Sequence, residues 1–305
     1  MLKILPKPFV KWAGGKKQLL EVISANLPDD MGKTINRYAE PFIGGGAVLF
    51  QLLTRFSLKE IYIGDKNRAL IHTYLTIRDH ADSLIAELEK LESVYLDLSI
   101  PERKAMYYAK RARYNALLPC EVASIEFAAL FLFLNRTCFN GLYRVNRKGL
   151  FNVPQGRYVR PQILHRENIL AVSQALTCVK IFCGDFAYAK NFIQQDAQHT
   201  FIYLDPPYRP QENSQAFTAY QADGFSDAEQ QRLHDFFCEM SQQGAKLLLS
   251  NSNDDFFENL YQDYNIQHVF ARRMINRNGT ERGKVAEILV RNYTCGEETG
   301  GKFHA

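Results

Sequence analysis

The sequence has little that would tie it to a membrane. Its longest uninterrupted apolar run, residues 127–134, reaches about half of the roughly 20 residues that a membrane-spanning helix needs. Lys3, Lys7 and Lys11 interrupt the apolar residues of the N-terminus, where a secretory signal would need an unbroken apolar stretch. The sequence therefore predicts neither a membrane span nor a signal peptide.

Closely spaced cysteine pairs are also missing. No CxxC spacing occurs among the six cysteines, which are Cys120, Cys138, Cys178, Cys183, Cys238 and Cys295. This scatter argues against a disulfide framework and against a zinc site, and no other cluster of metal ligands stands out. We therefore expect reduced thiols, a cytoplasmic location and no bound metal.

The chain also lacks a large excess of one charge. Lys and Arg number 37 and Asp and Glu number 33, which gives a formal net charge of +4. That value alone identifies no partner. With 46% apolar and 23% charged residues, the composition is that of an ordinary folded protein, and it excludes disorder as the main state.

Short runs rich in Ile, Val, Phe and Tyr alternate with helical patterns, which predicts an α/β fold. The clearest strands are residues 61–65, 179–185, 201–205 and 246–250. Helical spacing is clearest at Leu84, Leu88, Leu91 and Tyr95, and in Leu233, Phe236, Phe237 and Met240 after a Ser226–Glu229 capping box. Ligands of such sheets bind beyond the carboxyl ends of the strands, where Asp65, Asp185 and Asp205 would line one crevice.

The strands are unevenly spaced. More than a hundred residues separate Asp65 from Asp185, far more than one crossover helix needs. We expect a mainly helical insertion at residues 67–170, with a hairpin or ordered loop near 136–160, where Gly, Asn, Pro and Arg are frequent. Residues 1–66 and 171–305 would then form one discontinuous domain.

A triple glycine at residues 44–46 follows a plausible short strand and precedes an apolar run. A strand, glycine turn and helix let a ligand approach the backbone, and an acid about 20 residues further on can hold ribose hydroxyls. Asp65 lies at that distance. A plain tight turn would look the same, and the third glycine of a dinucleotide fingerprint is missing, which favours a nucleoside without phosphates.

Asp205-Pro206-Pro207-Tyr208 is the most specific feature of the chain. Two prolines after a buried strand fix a rigid turn that presents a carboxylate, free carbonyls and an aromatic ring. Asp205 and the Pro206 carbonyl can each accept one N–H of an exocyclic amine, while Tyr208 stacks on the ring that carries it. The two acceptors would stabilise the positive charge that the nitrogen gains on taking a methyl group.

Three motifs occur in order along the chain: Lys11-Trp12-Ala13-Gly14-Gly15-Lys16, Glu40-Pro41-Phe42-Ile43-Gly44-Gly45-Gly46 and the Asp205 motif. Together they resemble the Dam-type family of adenine-specific DNA methyltransferases. The resemblance implies a Rossmann-like S-adenosylmethionine-dependent methyltransferase sheet carrying an inserted, mainly helical target-recognition domain. The catalytic residues it implies are Asp205, Pro206 and Tyr208.

The same resemblance implies S-adenosyl-L-methionine as cofactor, with S-adenosyl-L-homocysteine as product. The implied cofactor-binding residues are Trp12, Lys16, Phe42, Gly44, Gly46, Asp65, Asp185, Phe186 and Asp205. Residues 217–220 and 250–252 match positions around the family's active site. Arg282, Lys284 and Glu287 recur in its late segment, where a structural role is at least as plausible.

Residues 127–166 contain no Asp or Glu but carry seven basic residues, namely Arg136, Arg144, Arg147, Lys148, Arg157, Arg160 and Arg166. The positive charge of this one segment exceeds the net charge of the whole protein. Aromatic residues are interleaved with its basic residues. Double-stranded DNA is the partner that this pattern indicates. A second cluster at Arg103, Lys104, Lys110, Arg111 and Arg113 fits a phosphate-contacting face or a polar helix surface equally well.

Residues 135–146 and 151–154 are similar to the target-reading hairpin of the family's GATC-specific members. The similarity assigns Arg144 and Lys11 to guanines, Leu142 and Pro154 to a thymine methyl, and Phe139 and Asn140 to the stack beside a flipped adenine. A bidentate guanidinium suits guanine chemically. Asn146, Arg147 and Lys148 complete the expected DNA contacts.

The sequence thus predicts an enzyme that methylates N6 of a flipped adenine in duplex DNA, within GATC. Two alternatives stay open: a related adenine methyltransferase with another target, and a DNA-binding protein of the same fold without catalysis. A cognate restriction endonuclease that acts on the same site is compatible with either methyltransferase. No direct protein partner is implied.

Overall fold

One mixed sheet organises the computed structural model, which describes residues 4–118, 124–209, 225–272 and 284–295. In these ranges it contains seven strands in the order β3-β2-β1-β4-β5-β7-β6. The strands are β1 (Arg37–Glu40), β2 (Glu60–Asp65), β3 (Val179–Cys183), β4 (Thr200–Leu204), β5 (Lys246–Ser252), β6 (Asn265–Arg272) and β7 (Lys284–Arg291). Strands β1 to β5 run parallel, and β7 pairs antiparallel with both β5 and β6. The predicted α/β class is confirmed.

Helices cover both faces of this sheet. In the described ranges they are α1 (Leu20–Ala25), α2 (Ala47–Arg55), α3 (Arg68–Asp97), α4 (Ile100–Leu117), α5 (Ile125–Thr137), α6 (Arg166–Leu176), α7 (Lys190–Ile193), α8 (Asp227–Gln242) and α9 (Asp255–Leu260). Alternate residues of β4 enter opposite cores: Phe201 and Tyr203 one, Ile202 and Leu204 the other. The predicted apolar stripes of α3 and α8 are buried in the first and the second core, respectively.

Two local predictions need correction. Strand β3 ends at Cys183, two residues before Asp185, because the chain turns at Gly184 and Asp185 caps a short 3-10 helix. The Ser226–Glu229 capping box is only half formed. Ser226 Oγ accepts the Glu229 N–H at 3.3 Å, but the Glu229 carboxylate pairs with Arg232 instead of returning to the helix terminus.

The long connection between β2 and β3 contains α3, α4, α5 and α6. Helix α5 carries the apolar run of residues 127–134 and is buried on nearly all sides, as expected of a helix that is apolar all round. It packs against α3 and α4 inside the protein. In the parts of the chain that the structure describes, no helix is long and apolar enough to cross a membrane.

Strand β1 lies between β2 and β4, and this order places the candidate site. The chain leaves β1 toward β2 and β3 and later returns to β4 on the other side, so the connections diverge above the carboxyl end of β1. Such a divergence opens a crevice in a parallel sheet. Glu40 ends β1, Asp65 ends β2, and Asp205 directly follows β4.

Candidate active site

Asp205 has one carboxylate oxygen held by the protein and one left open. Its Oδ1 lies 2.9 Å from Lys16 Nζ and accepts a hydrogen bond from Ser250 Oγ at 3.1 Å. The Ser250 hydroxyl is in turn 2.8 Å from Tyr203 Oη in the core. No residue in the described ranges donates to Oδ2 of Asp205. A bound molecule can therefore donate to a carboxylate whose orientation is already fixed.

Lys16 is a buried cation at the centre of the site. Its side chain is 5% exposed, and Nζ lies 3.2 Å from Glu287 Oε2 in addition to its contact with Asp205. It also donates to Tyr208 Oη at 2.5 Å and lies 4.6 Å from the centre of the Tyr208 ring. Burial alone lowers the pKa of Lys16, but Asp205, Tyr208 and Glu287 outweigh it and raise that pKa above its ordinary value. Lys16 is therefore charged.

The pKa of Asp205 is raised above its ordinary value. Burial at the end of β4 is the largest cause, and the nearby Glu287 adds to it, while Lys16 and Ser250 lower the pKa and partly offset the rise. The side chain nevertheless keeps 21% of its surface exposed. Asp205 can thus accept a proton more readily than an ordinary aspartate and can reach solvent.

Glu40 is a third carboxylate at the same edge of the sheet. Its side chain is 2% exposed and accepts a hydrogen bond from Tyr38 Oη at 2.7 Å. Burial raises its pKa well above the ordinary value, and the charges of Asp205 and Asp65 raise it further. In the crevice expected from Asp65, Asp185 and Asp205, Glu40 therefore lies between Asp65 and Asp205.

The glycine loop is shaped by backbone that favours glycine. Gly44 has φ +46°, and a Cβ at this position would lie 2.9 Å from Trp12 Cδ1. Gly46 has φ +74°, and a Cβ there would lie 2.6 Å from Tyr74 Oη. Side chains at either position would be strained and would clash. The loop therefore packs tightly under Trp12 before α2 begins.

Asp65 is anchored to this loop. Its Oδ2 accepts the Gly44 N–H at 3.1 Å and its Oδ1 accepts the Asn67 N–H at 2.8 Å. Burial raises the pKa of Asp65, while these two hydrogen bonds lower it. Because each carboxylate oxygen has two lone pairs, each can still accept one hydroxyl. The predicted arrangement of glycine loop and acid is present.

Two of the expected cofactor-binding residues, Asp185 and Phe186, already have protein partners. Arg232 donates to both oxygens of Asp185, at 2.8 and 2.7 Å, and Lys66 Nζ lies 3.2 Å from Oδ2. Arg232 is the main reason that the pKa of Asp185 lies below its usual range. The same guanidinium lies 4.3 Å from the ring centre of Phe186, which also contacts Phe42. A ligand amine at Asp185 would have to share or displace these cations.

The basic segment forms a hairpin at the side of this crevice. Isolated antiparallel bridges join Cys138 to Gln155 and Val145 to Phe151. Phe139 is 50% exposed, and Asn140 next to it has φ +54°, a left-handed conformation that is uncommon outside glycine. The two residues project from the protein at the turn that follows α5.

The predicted base-reading residues are partly exposed on this hairpin. Arg144 donates from Nε to Asn152 Oδ1 at 2.6 Å, while Leu142 and Pro154 remain accessible. Asn146 shapes the hairpin, since its Oδ1 accepts the N–H groups of Lys148 and Leu150 at 2.9 and 3.1 Å. A structural role for Asn146 thus accompanies any contact with DNA.

Of the seven basic residues in the segment 127–166, three bind other protein groups, and Arg144 with its bond to Asn152 is one of them. Arg136 donates to the Phe9 carbonyl at 2.7 Å, and Arg166 pairs with Glu89 at 2.7 Å. Among the seven, four exposed side chains have no hydrogen-bond or ion-pair partner in the part of the chain that the structure describes: Arg147, Lys148, Arg157 and Arg160. These four are the best candidates for phosphate contacts.

Helix α4 explains part of the second basic cluster. Four side chains at intervals of four residues share one face of the helix and bind carbonyl groups of the hairpin: Arg103 to Val159, Tyr107 and Arg111 to Val153, and Asn115 to Phe151. Arg113 pairs with Glu126 at 2.7 Å. These three arginines therefore already have protein partners, which support the hairpin or the helix packing.

Some expected residues lie outside the described part of the chain, including residues 217–220 and Arg282, and nothing is described of the Lys284 side chain. Ser250 is at the site, and Glu287 of β7 joins it by contacting Lys16. Asn135 was not singled out from the sequence, although it begins the hairpin motif and contacts Lys11. Glu287 was expected from the family's late segment, where a structural role was at least as plausible as a role at the site.

A family model and several named proteins resemble this chain over most of its length. The family model described as "D12 class N6 adenine-specific DNA methyltransferase" matches residues 12–275. "Type II methyltransferase M.MjaIII" of Methanocaldococcus jannaschii is 45% identical, over 94% of this chain and 99% of that protein. "Type II methyltransferase M1.LlaDCHI" of Lactococcus lactis subsp. cremoris is 38% identical over 95% and 97%, respectively. A "DNA adenine methylase" of Haemophilus influenzae is 31% identical over 94% of both chains.

Proposed function

Because this chain belongs to the D12 class of N6 adenine-specific DNA methyltransferases, we propose that it methylates the adenine of GATC in duplex DNA, using S-adenosyl-L-methionine. The observation that carries this proposal is the geometry of Asp205. One of its oxygens is held by Lys16 and Ser250, and the other is open beside the rigid Pro206 turn. An exocyclic amine has the two N–H donors that such a site can accept.

The residues at the crevice suit the cofactor. The turn at Gly44 and Gly46 follows a strand and precedes α2 as in nucleoside-binding sheets, Asp65 has lone pairs for hydroxyl groups, and Trp12 covers the loop. When bound, S-adenosyl-L-methionine supplies an electrophilic methyl group on a sulfonium centre and leaves as S-adenosyl-L-homocysteine. We assign the remaining contacts to residues around this loop, namely Lys16, Phe42, Asp185, Phe186 and Asp205.

Asp205 and Pro206 act on the amine of the target base. Oδ2 of Asp205 and the Pro206 carbonyl each accept one N–H, which favours a pyramidal nitrogen and stabilises its developing positive charge. As the nitrogen takes the methyl group, the bond from the methyl carbon to sulfur would break with its electrons staying on sulfur, and one proton would then have to leave the nitrogen. The raised pKa of Asp205 suits it to take that proton and pass it to solvent. Tyr208 holds the base by stacking, with Lys16 on one face of its ring.

The target adenine has to leave the duplex to reach this site, because its amine is paired and stacked inside B-DNA. Phe139 and Asn140 would fill the gap in the stack, for which the exposed ring and the left-handed backbone are suited. Arg144 and Lys11 would read guanines, and Leu142 and Pro154 a thymine methyl. Asn146, Arg147 and Lys148 would contact the backbone.

This division of labour implies two functional regions. Residues 1–66 and 171–305 would form the catalytic domain, and residues 67–170 the target-recognition insertion. Two relatives are named type II methyltransferases, which is compatible with a modification enzyme paired with a restriction endonuclease that cuts the same site. That pairing would act through shared DNA and requires no direct contact.

The test is methyl transfer from a labelled cofactor to a GATC duplex by wild-type protein and by Asp205→Ala. We expect Asp205→Ala to lose methyl transfer while its DNA binding, followed by gel shift, remains measurable. Asp235→Ala removes an acid that is 68% exposed on α8 and serves as the matched control, with activity near wild type. Full activity of Asp205→Ala would refute the assigned role.

A further inference from the structure

Asn135 forms an unusually dense set of contacts near the end of α5. Its side chain is 3% exposed, and its Oδ1 accepts the Lys11 N–H at 2.9 Å. Its Nδ2 donates to the carbonyls of Lys11 and Gly141, at 2.9 and 3.0 Å. One carboxamide thus binds both backbone groups of Lys11 and ties them to the hairpin. Its two N–H donors are fully used.

These contacts place the Lys11 side chain against the hairpin. Gly141 has φ +65°, and a Cβ there would lie 2.4 Å from Lys11 Cδ, so the lysine stem packs directly on the glycine. At its end, Lys11 Nζ lies 3.4 Å from Tyr158 Oη and 4.7 Å from the centre of that ring. The ammonium group is therefore directed along the hairpin surface rather than into solvent at random.

Lys11 also leads directly into the cofactor segment. The next residue, Trp12, packs on the Gly44 turn and stacks with Tyr143 of the hairpin at 5.6 Å. Asn135 therefore lies where the DNA-reading hairpin joins the segment that reaches the active site. A change at Asn135 would shift Lys11 relative to the hairpin while leaving Arg144, which is bound to Asn152, in place.

We infer that Asn135 is a positioning residue for target recognition. It sets the position of Lys11 on the hairpin and thereby determines discrimination at the guanine that Lys11 reads. Loss of its carboxamide leaves two carbonyls and one N–H without their partner in a buried place, which favours movement of Lys11. This inference rests on the proposed function, in which Lys11 and Arg144 read the two guanines of GATC.

The test compares methylation rates on a GATC duplex and on two duplexes that each change one end base pair. Lys11→Ala and Arg144→Ala first establish which end pair each side chain reads. We expect Asn135→Ala to relax discrimination about tenfold or more at the pair assigned to Lys11 and to retain it at the pair assigned to Arg144. A purely structural role of Asn135 would change discrimination at both end base pairs alike.

Asn115→Ala is the matched control. The Asn115 carboxamide likewise binds both backbone groups of one hairpin residue, Phe151, at 2.9 and 3.0 Å, but it has no contact with Lys11. This variant should retain discrimination at the Lys11 pair. If Asn135→Ala does not fold, Gly141→Ala forces a methyl group into the Lys11 stem and should relax the same pair.

The outcomes separate the two claims. A folded Asn135→Ala variant that discriminates as wild type does contradicts the role of Asn135. So does a folded variant that loses discrimination equally at both end base pairs. If Asn135→Ala does not fold, a Gly141→Ala variant that discriminates as wild type does also contradicts the role of Asn135. A wild-type protein that methylates none of the duplexes contradicts the proposed function instead.

Discussion

Lys16 Nζ lies 2.9 Å from Asp205 Oδ1 and 3.2 Å from Glu287 Oε2, so one buried cation bridges two carboxylates from different strands. Without the cation, the two acids would repel each other in a poorly solvated place. The pKa of Asp205 would then rise further, and Asp205 would lose part of its capacity to accept the amine. Lys16 therefore lowers the pKa of Asp205 and favours its ionised form.

Lys16→Met should shift the pH dependence of methyl transfer. Activity needs ionised Asp205, and Lys16 lowers its pKa against the larger effect of burial. Loss of Lys16 raises that pKa further. In a plot of kcat against pH, the rise on the acid side (the acid limb) should therefore move to higher pH. A shift of one pH unit lowers the rate on that limb about tenfold.

Two further variants define the cause of that shift. Glu287→Gln, added to Lys16→Met, should move the limb part of the way back because it removes the second carboxylate. Lys180→Met removes an exposed ion pair with Glu60 and should leave the profile unchanged. An unchanged limb in Lys16→Met itself would show that Lys16 does not act on Asp205.

Gly44→Ala should weaken cofactor binding. The substitution places a non-glycine residue at φ +46°, which costs about 1–2 kcal/mol, and pushes Trp12 from the loop. We expect the Kd for S-adenosyl-L-methionine, measured by calorimetry, to rise about tenfold. Gly45→Ala is the matched control, since its Cβ would lie 3.4 Å from Trp12 Cβ, an ordinary contact without positive φ. Equal Kd values for the two variants would contradict this account of the loop.

Arg144→Ala should relax discrimination at one base pair of the target. A guanidinium that reads guanine contributes about 1–3 kcal/mol, so specific binding should weaken by that amount. Competition between GATC and singly substituted duplexes measures the effect. Arg166→Ala, in which the lost arginine is paired with Glu89 on the surface, should keep wild-type specificity. If Arg144→Ala keeps it too, another residue reads that base.

Arg147→Ala and Lys148→Ala should weaken binding to all sequences alike. Both side chains are exposed and have no partner among the described residues, as expected of phosphate contacts. Each lost contact should reduce the slope of log K against log salt by about 1. Lys90→Ala is the control, because the Lys90 side chain lies on α3 and is 74% exposed. An unaltered slope in the hairpin variants would exclude phosphate contacts by these residues.

The sequence was informative where chemistry is local. The strand ends at Asp65 and Asp205, the glycine turn and the Asp205 motif occur within short segments, and each is found at the edge of the sheet as expected. The predicted methyltransferase fold is confirmed by the family match and by the seven strands of the described ranges. The motifs identified this family because three of them occur in order.

The sequence could not predict contacts between distant segments. Glu287 joins Lys16 only because β7 inserts beside β5, and Asn135 meets Lys11 only because α5 ends beside the N-terminal segment. The four-residue spacing from Arg103 to Asn115 was visible, but the carbonyls that these side chains bind were not. Such pairings depend on tertiary packing, which a one-dimensional pattern does not encode.

Methylation mapping tests the central claim most directly. Plasmid DNA without methylated adenine is incubated with the wild-type protein and S-adenosyl-L-methionine, and N6-methyladenine is then located by sequencing, with Asp205→Ala as the parallel sample. The account predicts N6-methyladenine in GATC and nowhere else with wild-type protein, and none with Asp205→Ala. Methylation at a different sequence would contradict the target assignment, and equal methylation by both proteins would contradict the active site.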